Sequence, residues 1–362
     1  MKFKELFNTK NIKTNQSFVI AEIGHNHKGS IDTAKQLFLT AKQCGADAVK
    51  LQKRDNKSLY TPEFFNEPYQ SENSYGKTYG THREYLEFGK KEYLELIKYA
   101  KKIDIEFLCT PFDFNSIKFL ENINVKAYKI ASADLINIPL IQMIAKTKKP
   151  IFLSTGGGNF EDINRAYKCI SSINKKLAIL HCTASYPVDL KDMNLNVITK
   201  LKKKYPKNLI GLSDHENGID AAPLAYMLGA RVFEKHFTLD RSWKGTDHAF
   251  SLEPTGLKKL IRNLKRIPII LGKSEKKLLA AEKKPLFKMV KSIVASKDLN
   301  KGTKINYNDL SFRSPGGGLK PYEYKKLLNK IVKIDVKKHQ KILIKNLKLK
   351  KKYNFKKKKI LE

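Results

Sequence analysis

Eight short apolar stretches alternate with segments of helical length along residues 1–272, and this alternation constrains the fold more than any other feature of the chain. The intervening segments repeat apolar residues at helical spacing, as Leu94, Ile97 and Ala100 do. Eight alternations of strand and helix predict a closed parallel barrel, the (β/α)8 or TIM barrel, more naturally than an open sheet. The predicted strands are residues 18–23, 48–51, 106–109, 127–130, 151–154, 177–182, 210–213 and 231–236.

The chain of 362 residues is longer than a TIM barrel of about 250 residues requires. We therefore predict an α/β barrel at 1–272, a charged linker at 273–286, a small module at 287–348 and a basic tail at 349–362. A long polar segment, 53–91, follows the second strand and is predicted to fold over the barrel mouth as a lid. The predicted strands of the small module are residues 292–295, 331–336 and 341–345.

The formal charge of +36 is extreme and raises the question of a nucleic-acid partner. The lysines are spread along the whole chain, however, and no nucleic-acid motif accompanies the denser runs. No apolar run approaches the ~20 residues that cross a bilayer, the N-terminus lacks a secretory signal, and the four cysteines show no CxxC spacing. We expect a cytoplasmic protein that binds neither nucleic acid nor membrane.

Polar side chains stand at the ends of nearly all the predicted strands. In a barrel of this kind the functional groups come from the carboxyl ends of the strands. Burying an unpaired lysine or carboxylate costs several kcal/mol unless a partner or a ligand compensates, so this convergence predicts a binding site. The strand-end residues are Glu22, Lys50, Gln52, Thr110, Lys129, Ser132, Asp134, Ser154, His181, Tyr186, Ser213, His215, Glu234 and His236.

Two groups of chemistry emerge from these residues. Lys50 and Lys129, with the hydroxyls of Ser132, Ser154 and Ser213, form a set suited to a phosphate and a carboxylate on one small molecule. The glycines of LSTGGG could add backbone N–H donors, although a plain tight turn explains them equally well.

A pair of histidines forms the second group. His215 and His236 end neighbouring strands, and two imidazoles so placed can hold one divalent metal. Acidic residues close by in the sequence are Asp214, Glu234 and Asp247. The remaining loop histidines are interpreted as exposed or capping residues: His25, His27 and His248.

The stretches that carry these residues, taken in order, resemble the sialic acid synthase family, also called the N-acetylneuraminate synthases. They are IAEIGHNHKGS, ADAVKLQ, CTPFD, YKIASADLINIPL, LSTGG, HCTASYP, GLSDHENG and FEKHFTLDRSWKGTDHAFSLEP. The following module, KSIVASKDLNKGTKINYNDLSFRSPGGGL, resembles the antifreeze-like SAF domain of those enzymes. Many separate motifs agree in order and spacing, which makes the resemblance specific.

The resemblance implies condensation of phosphoenolpyruvate with N-acetylmannosamine or a related 2-acetamido aldose, giving a nonulosonic acid and phosphate. It implies a divalent metal on His215 and His236, usually Mn²⁺, with Mg²⁺ or Co²⁺ as alternatives. The implied phosphoenolpyruvate contacts are Lys50, Lys129, Ser132, Ser154 and Ser213. The implied sugar-side residues are Gln52, Tyr186 and Asp247, and the implied acid/base carboxylates are Glu22 and Asp134. Arg313 matches an arginine that the SAF domain of a partner subunit offers to the acetamido group, which implies a domain-swapped homodimer.

Departures from the family pattern leave the acceptor sugar open. Asp134 stands where many members have a glutamate, and Ala184 stands where some have an asparagine near the sugar. A pseudaminic or legionaminic acid synthase of the same family is therefore an alternative. A non-catalytic carbohydrate-binding relative and a charge-driven nucleic-acid-binding protein are alternatives from other classes.

Overall fold

The structure of the chain, a computed structural model, describes residues 1–8 and 15–348, so the predicted basic tail at 349–362 lies outside the described residues. The chain divides into two compact units, the first ending at Gly272 and the second beginning at Lys273. Within the described ranges, none of the helices combines the length and the apolar character needed to cross a bilayer.

The first unit contains a closed barrel of eight parallel strands in sequence order, with β1 paired to β8. Each predicted strand is present with bounds within two residues of the prediction, and the TIM-barrel prediction is confirmed. The strands are β1 (Phe18–Gly24), β2 (Ala48–Lys53), β3 (Glu106–Pro111), β4 (Tyr128–Ile130), β5 (Ile151–Ser154), β6 (Leu177–Cys182), β7 (Leu209–Asp214) and β8 (Val232–His236).

Helices follow the strands and form the outer layer. Side-chain caps start several of them; for example, the Ser30 hydroxyl accepts from the backbone N–H of Thr33. The helices of the first unit are α1 (Phe3–Leu6), α2 (Ile31–Cys44), α3 (Asn56–Leu59), α4 (Pro62–Asn66), α5 (Tyr79–Tyr85), α6 (Lys90–Lys102), α7 (Phe114–Asn122), α8 (Ile138–Lys146), α9 (Phe160–Ile173), α10 (Val197–Lys204), α11 (Ala221–Leu228) and α12 (Pro254–Leu271).

Alternation along the strands separates an outer core from the barrel interior. On β1, Val19 and Ala21 pack in the outer core beneath the helices, whereas Phe18 and Ile20 belong to the interior cluster. Helix α1 closes the amino-terminal end of the barrel, because the ring of Phe3 lies 5.7 Å from that of Phe18. The next interior position on β1 belongs to Glu22, so the interior changes from apolar to polar toward the carboxyl ends of the strands.

The segment 53–91, which carries α3, α4 and α5, extends the barrel mouth as predicted. It contacts the loop after β8, where the backbone N–H of Gly245 donates to Asn73 Oδ1 at 2.9 Å and the Lys244 ammonium lies 5.2 Å from the centre of the Tyr75 ring. We call this segment the β2–α6 lid.

The second unit is small and contains helix α13 (Ala280–Met289) and an antiparallel pair, β9 (Ser292–Ala295) with β10 (Leu310–Arg313). Helix α13 begins inside the segment predicted as a linker. The prediction of strands at 331–336 and 341–345 is wrong, because these segments form only isolated bridges such as Val332 to Leu347. Apolar residues there still face a common core, so the apolar pattern arises from side-chain burial without a continuous ladder.

Candidate active site

A cavity of about 670 Å³ opens at the carboxyl ends of the barrel strands. The predicted site residues line it, with the exceptions of Asp134 and Arg313. Parallel strands end at the same rim, so residues distant in sequence converge there. For example, Glu22 of β1 is in register with Lys50 of β2 on one side and with His236 of β8 on the other.

Two lysines and two carboxylates form the charged centre of the cavity. Lys50 Nζ lies 2.7 Å from Glu22 Oε2 and 3.8 Å from Glu234 Oε1, and Lys129 Nζ lies 3.3 Å from the same Glu234 oxygen. The hydroxyl of Ser213 donates to Glu234 Oε1 at 3.2 Å. The side chains of all four charged residues are at most 5% exposed, so their charges interact with little screening by solvent.

The two lysines differ in their electrostatic surroundings. Burial lowers the pKa of Lys50, but Glu22 and Glu234 outweigh burial and hold the pKa above the usual lysine value. Burial also lowers the pKa of Lys129, and Glu234 offsets this only in part. For Glu234, burial raises the pKa, but Lys129 and Lys50 outweigh it and lower the pKa to about 2. A bound anion would therefore meet two ammonium groups whose present partners are carboxylates.

Hydroxyl and backbone groups complete this end of the cavity. The hydroxyl of Ser154 is buried and has no hydrogen-bond partner among the described residues. Ser132 Oγ accepts from the backbone N–H of Gly156 at 3.1 Å. A Cβ atom on Gly156 would lie 2.7 Å from that hydroxyl, so the glycine allows the close approach of loop and serine. A free buried hydroxyl beside two lysines suits an anionic ligand.

His215 and His236 lie together at the other side of the cavity, with ring centres 5.4 Å apart. Nδ1 of His215 lies 2.9 Å from the carbonyl oxygen of Thr183, which fixes the proton on Nδ1 and leaves Nε2 as an unprotonated donor atom. Burial, and then His236, lower the pKa of His215 to about 3, so the ring is neutral at neutral pH. Nδ1 of His236 is buried and has no hydrogen-bond partner in the described residues.

These donor atoms fit a divalent metal, since neutral imidazole with an outer carbonyl partner is a common metal ligand. In the described part of the chain, no cluster of three or more histidine, cysteine or acidic side chains could hold an ion. The pair would thus leave most coordination positions open. His181, also at a strand end, is directed elsewhere, because its Nε2 lies 2.6 Å from the carbonyl oxygen of Met193.

The sugar-side residues of the prediction surround the histidine pair. The ring of Tyr186 packs 4.2 Å from the ring of His215, and Asp247 Oδ2 lies 3.6 Å from His236 Nδ1. Gln52 donates from Nε2 to Glu22 Oε1 at 2.7 Å. Burial raises the pKa of Asp247, but His236 and His25 outweigh it and lower the pKa. The three residues thus border both the histidines and the charged centre.

Two predicted residues are not among those that line the cavity. Asp134 accepts from Asn137 Nδ2 at 3.0 Å in a turn after β4, and burial raises the pKa of its carboxyl. Arg313 belongs to the second unit, where it is exposed at the end of β10 and its Nε donates to Ser311 Oγ at 3.4 Å.

The loop histidines are buried, so their interpretation as exposed or capping residues is wrong for His25, His27 and His248. The β2–α6 lid and its flanks cover them; the ring of Phe88, for instance, stacks 4.1 Å from that of His27. Sequence reasoning also missed two lining residues, Arg54 and Arg83. Arg54 continues the alternation Lys50, Gln52 beyond β2, a signal that could have identified it.

The fold and the cavity define a TIM-barrel enzyme, with charged groups gathered at the carboxyl ends of the strands. The chain belongs to the NeuB family, whose model matches residues 37–276. An SAF domain model matches residues 290–348, which confirms the antifreeze-like module.

Relatives with functional names match over most of the chain. The N-acetylneuraminate-9-phosphate synthase of Mus musculus is 39% identical over 296 residues, which are 82% of each chain. The N,N'-diacetyllegionaminic acid synthase of Campylobacter jejuni is 37% identical over 320 residues, 87% of this chain and 96% of that one. The crystal structure of N-acetylneuraminic acid synthetase from Leptospira borgpetersenii, in complex with citrate, is 34% identical with a TM-score of 0.64 and covers 75% of this chain and 90% of its own. These similarities support a sialic-acid-type synthase.

Proposed function

We propose that the chain condenses phosphoenolpyruvate with a 2-acetamido aldose to give a nonulosonic acid and inorganic phosphate. The observation that carries the proposal is the arrangement of one cavity in which Lys50 and Lys129 face the His215–His236 pair. The ammonium groups suit the carboxylate and phosphate of the three-carbon donor. The histidine pair suits a divalent metal, Mn²⁺ with Mg²⁺ or Co²⁺ as alternatives, which when bound would polarise a carbonyl oxygen as a Lewis acid.

In the proposed reaction, C3 of phosphoenolpyruvate attacks the aldehyde carbon and forms the new C–C bond. Water then adds to the electron-poor C2, and the C2–O bond to phosphate breaks to leave the keto group of the product. The aldehyde oxygen gains one proton and the water loses its protons, so the step needs a group that both accepts and donates. Glu22, which lines the cavity beside Lys50, can serve this role, while Lys50 and Lys129 stabilise the phosphate as it leaves.

The second unit supports a further part of the proposal. Arg313 carries an exposed guanidinium, and its position in FRSPGGG matches the SAF arginine of the family. We propose that this group reaches the acceptor in the cavity of a partner subunit within a domain-swapped homodimer. A cytoplasmic location and the lack of a nucleic-acid partner stay predictions from the sequence.

Mass spectrometry of the product tests the function. The protein is incubated with phosphoenolpyruvate, Mn²⁺ and a panel of 2-acetamido aldoses, including precursors of sialic, legionaminic and pseudaminic acids, and phosphate release is followed in parallel. A product whose mass equals aldose plus phosphoenolpyruvate plus water minus phosphoric acid supports the proposal and identifies the acceptor. Phosphate release with none of these sugars would favour a non-catalytic carbohydrate-binding protein.

A further inference from the structure

Two arginines stand at the outer edge of the same cavity. Arg54 follows β2, is only 7% exposed and stacks its guanidinium 3.8 Å from the centre of the Phe112 ring. Arg83 lies on α5 of the β2–α6 lid, and its Nε and Nη2 atoms donate to the Tyr79 hydroxyl at 3.2 and 2.9 Å. Neither residue has a role in the proposed condensation.

The imidazole of His25 lies between the two guanidiniums and cannot satisfy both. Nη1 of Arg54 is 3.1 Å from Nε2 of His25, and Nη1 of Arg83 is 3.2 Å from Nδ1. Burial, followed by Arg54 and Arg83, lowers the pKa of His25 well below its usual value, so the ring is neutral and has a single acceptor nitrogen. One of the two arginine N–H groups therefore faces an imidazole N–H, and that donor has no acceptor from His25.

Carboxylates nearby do not neutralise the pair. Glu87 Oε1 lies 4.0 Å from Arg54 Nη1, but Oε2 of the same carboxylate accepts from Lys53 Nζ at 3.0 Å. Across the described residues, Arg83 has no carboxylate oxygen within the 4.0 Å of an ion pair. Lys53, Arg54 and Arg83 thus bring three positive charges against the one negative charge of Glu87. Buried or partly buried guanidiniums with spare donors are suited to an anionic ligand.

The order of side chains along β2 gives this ligand a direction. Lys50, Gln52 and Arg54 alternate on the cavity side, and Arg54 Nη2 donates to Gln52 Oε1 at 2.7 Å. At about 3.3 Å per residue, the backbone positions of Lys50 and Arg54 are ~13 Å apart in an extended strand. An acceptor whose aldehyde lies near the lysines would extend past Gln52, so its far end would reach the arginines.

We propose that Arg54 and Arg83 bind a phosphate monoester on the acceptor, at the carbon farthest from its aldehyde. The inference rests on the proposed function and specifies its substrate as a 2-acetamido aldose phosphate. Two guanidiniums match the two negative charges of a phosphate monoester, whereas a hydroxyl group would leave both charges uncompensated. Because Arg83 belongs to the β2–α6 lid, the same phosphate would hold the lid over the cavity.

The test compares N-acetylmannosamine with N-acetylmannosamine 6-phosphate in the full-length protein, by phosphate release and by calorimetric binding in the presence of Mn²⁺. We expect kcat/KM and affinity to favour the phosphorylated sugar. Arg83→Gln should lower both values about 10- to 100-fold for the phosphorylated sugar and by less than about threefold for the neutral one. Arg83→Lys, which keeps the charge but loses the planar fork, should fall between. Arg165→Gln on α9 is the matched control for loss of a positive charge outside the cavity.

The outcomes separate the subsite from the reaction. Turnover of both sugars with no preference, or an equal effect of Arg83→Gln on both, would overturn the phosphate subsite and leave the condensation intact. If neither sugar is turned over and another aldose of the panel is, a binding preference for the phosphorylated sugar that Arg83→Gln removes still supports the subsite, and equal or absent binding overturns it. Arg54→Gln serves as a second variant, and unfolding of each variant, followed by the fluorescence of Trp243, shows whether it has folded.

Discussion

Lys50 Nζ lies 2.7 Å from Glu22 Oε2, in a barrel interior where both side chains are almost fully buried. The pair brings a potential anion-binding group into contact with a potential proton acceptor. In the proposed reaction the donor anion must share Lys50 with Glu22, so the carboxylate lies beside the three-carbon donor when it binds. The relationship makes the charge of Glu22, distinct from its shape, open to experiment.

Replacement of Glu22 by glutamine should separate catalysis from donor binding. Glu22→Gln keeps the side-chain volume but removes the proton acceptor, so kcat should fall about 100- to 10,000-fold. Affinity for phosphoenolpyruvate should stay equal or rise, because a negative charge beside Lys50 is lost. Steady-state phosphate release and calorimetric titration with phosphoenolpyruvate measure the two effects. Glu121→Gln, which removes a carboxylate paired with Lys149 outside the cavity, is the control. A kcat near that of the wild type would exclude Glu22 as the acid/base group.

Removal of either cavity histidine should abolish metal-dependent activity. We expect His215→Ala and His236→Ala to lose at least about 100-fold in Mn²⁺-dependent turnover, and to bind Mn²⁺ more weakly in calorimetric titrations of chelator-treated protein. His181→Gln is the matched control, because His181 ends the neighbouring strand but contacts the Met193 carbonyl instead of the cavity. Wild-type metal affinity in both alanine variants would contradict the assignment of the ligands.

The barrel and most of its cavity could be predicted because one rule governs both. Apolar runs locate parallel strands, and the carboxyl ends of such strands meet at one rim, so the amino-acid sequence alone places Lys50 and Lys129 together. The histidine pair follows from the same rule, since β7 and β8 are adjacent. The small module lacks an equivalent rule. Its apolar segment 331–336 packs in the core through isolated bridges, and its sequence pattern resembles that of a short strand.

The residues that sequence reasoning missed depend on the β2–α6 lid. Arg83 reaches the cavity from a seven-residue helix of that segment, and short helices leave little periodicity in a sequence. The same segment buries His27, which would otherwise lie in an open loop. Asp134 illustrates the opposite error, because its position in a family motif suggested a cavity carboxylate whereas the turn after β4 directs it to Asn137.

Acidification should destabilise the barrel through its buried histidines. Burial, and then His25, lower the pKa of His27 to about 3, whereas an unfolded histidine has a pKa near 6.5. Between these values the unfolded chain binds a proton that the folded chain does not, so the free energy of unfolding falls as pH drops below about 6.5, by up to about 1.4 kcal/mol per pH unit for this one site. Above about 6.5 the site contributes no pH dependence.

Urea unfolding followed by the fluorescence of Trp243, the one tryptophan of the chain, measures this dependence for the barrel. His27→Gln should reduce the slope of unfolding free energy against pH between pH 6.5 and 5. The control His339→Gln, an exposed histidine of the second unit, should leave the slope of the barrel transition unchanged. An unaltered slope in His27→Gln would show that this imidazole titrates normally in the folded protein.

Complementation between two inactive chains tests the proposed sharing of sites. Arg313→Ala should raise KM for the aldose more than KM for phosphoenolpyruvate, because the proposed contact is to the acetamido group. When Arg313→Ala and His236→Ala chains are mixed in equal amounts, a mixed dimer would hold one cavity with both an intact histidine pair and an intact partner arginine. About half of the dimers are mixed after exchange, so activity should return to about one quarter of the wild-type value. Differently tagged chains, purified on both tags in sequence, verify that exchange has taken place. Purified mixed dimers that remain as inactive as either parent would show that Arg313 does not act on a partner's cavity.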